Sequence, residues 1–104
     1  MTTYRLSRKA NENLEELAER IAVDNPSAAL RVLDAIHESL HSLARNPQLG
    51  KRCKPLRPEL QVFPAKRPAH RYLIFYHPIE NGIEVAAILH GHRDWMGLIA
   101  SDEI

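Results

Sequence analysis

The sequence predicts an α+β fold: an antiparallel helix hairpin packed on a mainly antiparallel sheet of three or four strands, in the order β-α-α-β-β-β-α. Three observations carry that reading. Residues 71–94 pair two apolar arms around Asn81-Gly82, a dipeptide favoured in tight hairpins. Residues 8–45 carry two apolar stripes at helical spacing, interrupted at Asp24-Asn25-Pro26. The length of 104 residues, with 44% hydrophobic and 26% charged residues, suits one modest core. Residues 1–104 are therefore expected to form a single domain.

The first strand is expected at residues 2–6, which alternate weakly. Ser7 suits a helix N-cap. After it Ala10, Leu14, Leu17 and Ile21 recur at helical spacing and share one face, while Glu12, Glu15, Glu16 and Glu19 take the wet side. That helix should span residues 8–23. Pro26 suits the first position of the next helix, where a missing N–H costs nothing, and Asp24 or Asn25 can cap it. Ala29, Leu33, Ile36, Leu40 and Leu43 form its stripe, and Asn46-Pro47 with Gly50 ends it. Neither stripe can be buried by one helix alone, so Leu14, Leu17, Ile21, Leu33, Ile36 and Leu40 should pack on the sheet. Residues 60–66 alternate as a strand in which Pro64 demands an edge or a bulge. Residues 72–77 and 83–89 are the hairpin arms. A short last helix follows at residues 95–100, with Asp94 as cap and Gly97 as a weak point.

Charge is segregated along the chain behind a net of +1. Between residues 45 and 71, Arg45, Lys51, Arg52, Lys54, Arg57, Lys66, Arg67 and Arg71 face only Glu59. Acidic residues dominate on both sides of this segment. A basic middle points to an anionic partner, either nucleic acid or an acidic protein surface. One cysteine excludes an internal disulfide and fits a reducing compartment. No apolar run approaches a membrane span, and no signal segment opens the chain, so a cytoplasmic, unprocessed protein is expected.

Four local motifs, in order, resemble the RelE/ParE superfamily of type II toxin–antitoxin toxins, and within it the ParE branch of plasmid-stabilisation proteins. They are Asn25-Pro26-Ser27-Ala28-Ala29 at the helix break, Asn46-Pro47-Gln48-Leu49-Gly50 after the second helix, Tyr72-Leu73-Ile74-Phe75-Tyr76 on the central strand, and Leu89-His90-Gly91-His92-Arg93-Asp94 after the last strand. The chain departs from the family pattern at residues 54–60, stiffened by two prolines, and in the following strand, where basic residues are delayed to Lys66 and Arg67. The resemblance implies a toxin that traps DNA gyrase on cleaved DNA and is neutralised by a small ParD-like antitoxin. On that reading the target or antitoxin contacts are Lys51, Arg52, Lys54, Arg57, Lys66, Arg67, Arg71 and Arg93. No catalytic residue, cofactor or metal is implied, and nucleic acid is reached only indirectly.

The wider superfamily includes ribosome-dependent endoribonucleases, which sets the alternative. Metal-free RNA cleavage needs a base, an acid and cations on the phosphate. Histidine suits the proton roles and arginine the phosphate. Arg71, His90, His92 and Arg93 would be the candidate residues, because tight pairing around Asn81-Gly82 brings the two strand ends together. The competing reading makes the same residues a strand end and a helix start. A third possibility is an inactive member that retains only antitoxin binding. His37 and His41 have metal-compatible spacing but no third ligand beside them and are expected to be solvated. Cys53, between Arg52 and Lys54, should favour its thiolate but has no catalytic motif around it. Tyr72, Phe75 and Tyr76 offer a stacking platform for bases, with core packing the better expectation for Phe75.

Overall fold

The computed structural model describes residues 3–54, 57–92, 94–101. Its elements are β1 (Thr3–Leu6), α1 (Arg8–Asp24), α2 (Pro26–Arg45), a 3₁₀ turn (Pro47–Leu49), β2 (Lys51–Cys53), β3 (Arg57–Pro64), β4 (Tyr72–Ile79), β5 (Gly82–His90) and α3 (Trp95–Ala100). The α+β class and the helix hairpin are as expected. The sheet, however, has five strands rather than three or four, in the spatial order β1-β5-β4-β3-β2. The additional strand is β2, which pairs antiparallel with β3 at one edge. Its three residues include two exposed cations, so it carries no alternating apolar signal. At the other edge β1 runs parallel to β5.

Asn25 does two jobs at the helix break. Its backbone N–H closes α1 onto the Ile21 carbonyl at 2.9 Å. Its side-chain oxygen accepts the Ala28 N–H at 3.1 Å and starts α2. The chain therefore reverses with one residue between the helices.

The sheet has a core on each face. On one, Leu14 and Leu17 of α1 and Val32, Ile36, Leu40 and Leu43 of α2 pack on Ile74, Tyr76, Ile83, Val85 and Ile88. On the other, Ile99 of α3 packs on Leu60, Phe75, Ala87 and Leu89. Alternation along β4 divides its residues between the two faces. Phe75 is fully buried and lies 5.5 Å from the Trp95 ring, so it is core and not a base platform. Ile21 and Leu33, expected in the core, are only partly buried at its margin.

Two sequence details resolve differently from expectation. The hairpin loop is Glu80-Asn81, because Ile79 pairs with Gly82. Both residues of the expected turn take a positive φ, Asn81 at 66° and Gly82 at 157°. Gly82 is needed for a further reason: a Cβ there would lie 1.7 Å from the Thr3 carbonyl oxygen of the neighbouring β1. Pro64 ends an interior strand, yet β2 pairs no further along β3 than Val62. Its missing N–H therefore leaves no ladder bond unmade on that side.

Helix α1 is fastened to β5 by polar contacts where β1 has run out. Ser7 Oγ accepts the Ala10 N–H at 3.0 Å and donates to the Ala86 carbonyl at 2.9 Å. Asn13 lies 7% exposed in the apolar stripe, and its Oδ1 accepts the Ile88 N–H at 3.1 Å. Ala86 is the extra residue where the β4–β5 register shifts between Phe75 and Tyr76. Among the described residues no helix is long and apolar enough to cross a membrane.

Three substitutions test this packing. Ile36→Ala should cost about 2–5 kcal/mol in chemical denaturation, and Leu33→Ala at the core margin should cost less. Asn13→Ala should cost about 1–3 kcal/mol, because it strands a buried N–H. Amide hydrogen exchange at Ile88 should accelerate selectively in the Asn13 variant.

Candidate functional site at the β4–β5 strand ends

Antiparallel register places the start of β4 beside the end of β5. Tyr72 pairs with His90, and the Gly91 N–H donates to the Arg71 carbonyl at 2.8 Å. An open depression forms there, lined by His70, Arg71, Leu73, His90, Gly91 and His92. The rings of His90 and His92 stack with centroids 4.8 Å apart and planes 24° apart. Tyr72 meets His90 edge-on at 5.4 Å. The strand-end cluster expected from the sequence therefore exists for Arg71, His90 and His92, and His70 joins it. Arg93 lies outside the described residues.

The backbone N–H of His92 donates to Nδ1 of His90 at 3.2 Å. That lone pair is thereby occupied, and the neutral ring carries its proton on Nε2. Partial burial, then the nearby His92, Arg71 and Arg20, hold the His90 pKa below the ordinary 6.5. At neutral pH His90 therefore presents a hydrogen-bond donor. Its only basic nitrogen faces its own chain.

The other basic residues do not form one surface. Lys51 and Arg52 lie exposed on the outer strand β2, and Lys54 follows in the turn. Arg57, at the start of β3, donates from Nε to Glu59 Oε1 at 2.9 Å. That contact, after Glu59's own backbone N–H, holds the Glu59 carboxyl below its ordinary range. Lys66 is paired with Glu38 of α2. Arg67 lies beside it, near Arg31 and Asp34. The strand register thus splits the basic segment into an edge strand, a patch on α2 and the strand-end cluster.

The remaining candidates have structural partners. Cys53 is buried, and desolvation raises its pKa against the lowering effect of Arg57. The thiolate expected from its basic neighbours in sequence is not favoured, because exclusion from water outweighs them. Tyr76 donates to the Pro47 carbonyl at 2.7 Å and accepts the Gly50 N–H at 2.8 Å. Gln61 Nε2 also reaches the Pro47 and Gly50 carbonyls. The Asn46–Gly50 motif is therefore a turn braced by β3 and β4. Gly50 itself is required by that brace, since a Cβ would lie 2.5 Å from the Tyr76 hydroxyl. His37 Nδ1 is 2.8 Å from the Tyr4 hydroxyl, and His41 packs edge-on against the Tyr4 ring at 5.1 Å. Among the described residues no three His, Cys, Asp or Glu side chains converge as a metal site requires.

A family model described as the ParE toxin of the type II toxin–antitoxin system parDE matches residues 4–95. The chain belongs to the ParE toxin family. The match runs from β1 to the first residue of α3 and takes in all four motifs noted in the sequence. Among solved structures, a chain from the chromosomal ParDE TA system of P. aeruginosa shares the fold, with a TM-score of 0.70 at 19% identity. The similarity covers 86% of this chain and 96% of that one. No curated protein matches the chain. Membership of the ParE toxin family makes this a toxin component of the type II class, with an antitoxin as partner.

Proposed function

We propose that this chain arrests growth by binding DNA gyrase on DNA, and that a ParD-like antitoxin neutralises it. The single observation that carries a binding role over a catalytic one is the His92 N–H donated to His90 Nδ1. A nuclease base at His90 would need that lone pair free to take the 2′-hydroxyl proton. The strand-end cluster instead offers donors: the Arg71 guanidinium and the His90 Nε2–H.

The antitoxin reading is supported by the groove between α2 and β3. Leu43, Leu49, Phe63 and Pro64 line it, with Ser39, Ser42 and Lys66 at its sides. Leu49 is 49% exposed there. An amphipathic antitoxin segment would cover these apolar groups, and its acidic residues would meet Lys51, Arg52 and Lys54 on the adjoining edge. Arg57 and Lys66 contribute less than the sequence suggests, because Glu59 and Glu38 already engage them. Arg67, Arg71 and Arg93 complete the contact set toward the target.

The test is expression without antitoxin, following chromosomal breaks and ribosome-bound mRNA ends together. Wild type should break DNA and leave mRNA intact. His90→Ala and His92→Ala should weaken the effect mildly, and Arg71→Ala and Arg93→Ala should weaken it more. Codon-phased mRNA cleavage abolished by one histidine substitution, with a rate loss of ~10²–10⁴-fold, would establish the ribonuclease alternative instead.

A further inference from the structure

We propose that the depression at the β4–β5 strand ends is a phosphodiester site that contacts the DNA backbone directly. The choice of DNA rests on the gyrase reading above; the anion chemistry does not.

Every ionisable group lining the depression is basic: His70, Arg71, His90 and His92. Arg71 is exposed, and no carboxylate pairs with it among the described residues. It differs in this from Arg57 and Lys66, whose charges are spent on Glu59 and Glu38. A free guanidinium fork beside an imidazole with its Nε2–H available supplies donors and no acceptor, which is what a phosphate requires. Because His90 Nδ1 is held by the His92 N–H, the donor is oriented before any ligand arrives.

The imidazole pair adds a second kind of contact. His92 is exposed and stacked on His90, which is itself braced by Tyr72. The free face of His92 extends that stack toward solvent and can receive an unpaired base. A phosphate on Arg71 and a base on His92 together describe a nucleic-acid strand, not an isolated anion.

Around His90, Arg20 of α1 adds positive charge from behind, and Glu16 is the acidic residue in the adjoining crevice. His70, Arg71 and His92 complete the surrounding charges. Protonating His90, whose pKa lies below the ordinary 6.5, makes this end more positive, so DNA should bind more tightly as pH falls below about 6.5.

The experiment is fluorescence anisotropy of the full chain with labelled single-stranded DNA, the matching duplex and an RNA of the same sequence. No gyrase is present. Wild type should bind DNA, with log K falling linearly in log salt. Arg71→Gln should flatten that slope by about one, equivalent to about 3.5-fold less change between 50 and 200 mM salt. Arg71→Lys, which keeps the charge and loses the fork, should keep the slope but bind more weakly. Lys9→Gln, on the exposed start of α1, should match wild type. His90→Gln should flatten the pH dependence. Circular dichroism establishes that each variant is folded, and Arg71→Lys decides the matter if Arg71→Gln is not. No DNA binding at 50 mM salt, or a slope indifferent to Arg71, would overturn the site. Binding of RNA with DNA excluded would overturn the DNA assignment. A failure here would leave chromosomal breaks in cells unaffected, whereas a failure of the gyrase reading would leave this salt slope intact.

Discussion

The register of β4 on β5 is the constraint on which the rest of the molecule depends. Ile79 opposite Gly82 and Tyr72 opposite His90 mark its two ends. Side chains alternate with a period of two, so a slip of one residue would carry Ile74 and Tyr76 out of the helix-side core and Phe75 into it. The shift at Ala86 is part of this register. It lets Val85 and Ile88 both face the helices although they are three positions apart. The same pairing decides the chemistry, because it brings Arg71, more than a dozen residues away in sequence, against His90 and His92.

The helices lock that register from outside the ladder. Beyond Leu6, β5 has no strand on its outer side, and its exposed backbone groups would be buried without partners under α1. Ser7 and Asn13 supply them at Ala86 and Ile88. Position and polarity are coupled here: helix α1 can sit only where its polar side chains meet the bulge. On the far side, the Tyr76 hydroxyl and Gln61 hold the Pro47–Gly50 turn and so set where β2 begins. The free edge with Lys51 and Arg52 is thereby placed against a sheet already fixed by its core.

Much of this was legible in the sequence. Helical spacing identified both amphipathic faces, and Asn25-Pro26 marked the break, because local propensity and tertiary packing agree there. Strand β2 was not legible: its three residues are polar on the outside, and only Cys53 is buried. Nor was its loss of thiolate character, since sequence neighbours report charge but not exclusion from water. Asn13 was hidden for a similar reason, as an amide in an apolar stripe has no meaning until the unpaired Ile88 N–H is seen. The basic segment looked continuous because adjacency in sequence was taken for adjacency in space. Glu38 lies far from Lys66 along the chain, and only the packing of α2 reveals that it quenches that charge. The meeting of Arg71 with His90 and His92 follows from the hairpin pattern, but the His90 tautomer depends on a backbone hydrogen bond that no spacing rule predicts.

The central claim is that His90 is arranged as a donor in a binding surface and not as a catalytic base. The most direct measurement is a pH titration of the histidine side chains in the full chain by long-range ¹H–¹⁵N correlation NMR. His90 should be the Nε2–H tautomer, because its Nδ1 accepts the His92 N–H, and should titrate below the ordinary 6.5, because partial burial and then the neighbouring His92, Arg71 and Arg20 disfavour its charged form. An Nδ1–H tautomer, or titration above that value, would contradict it.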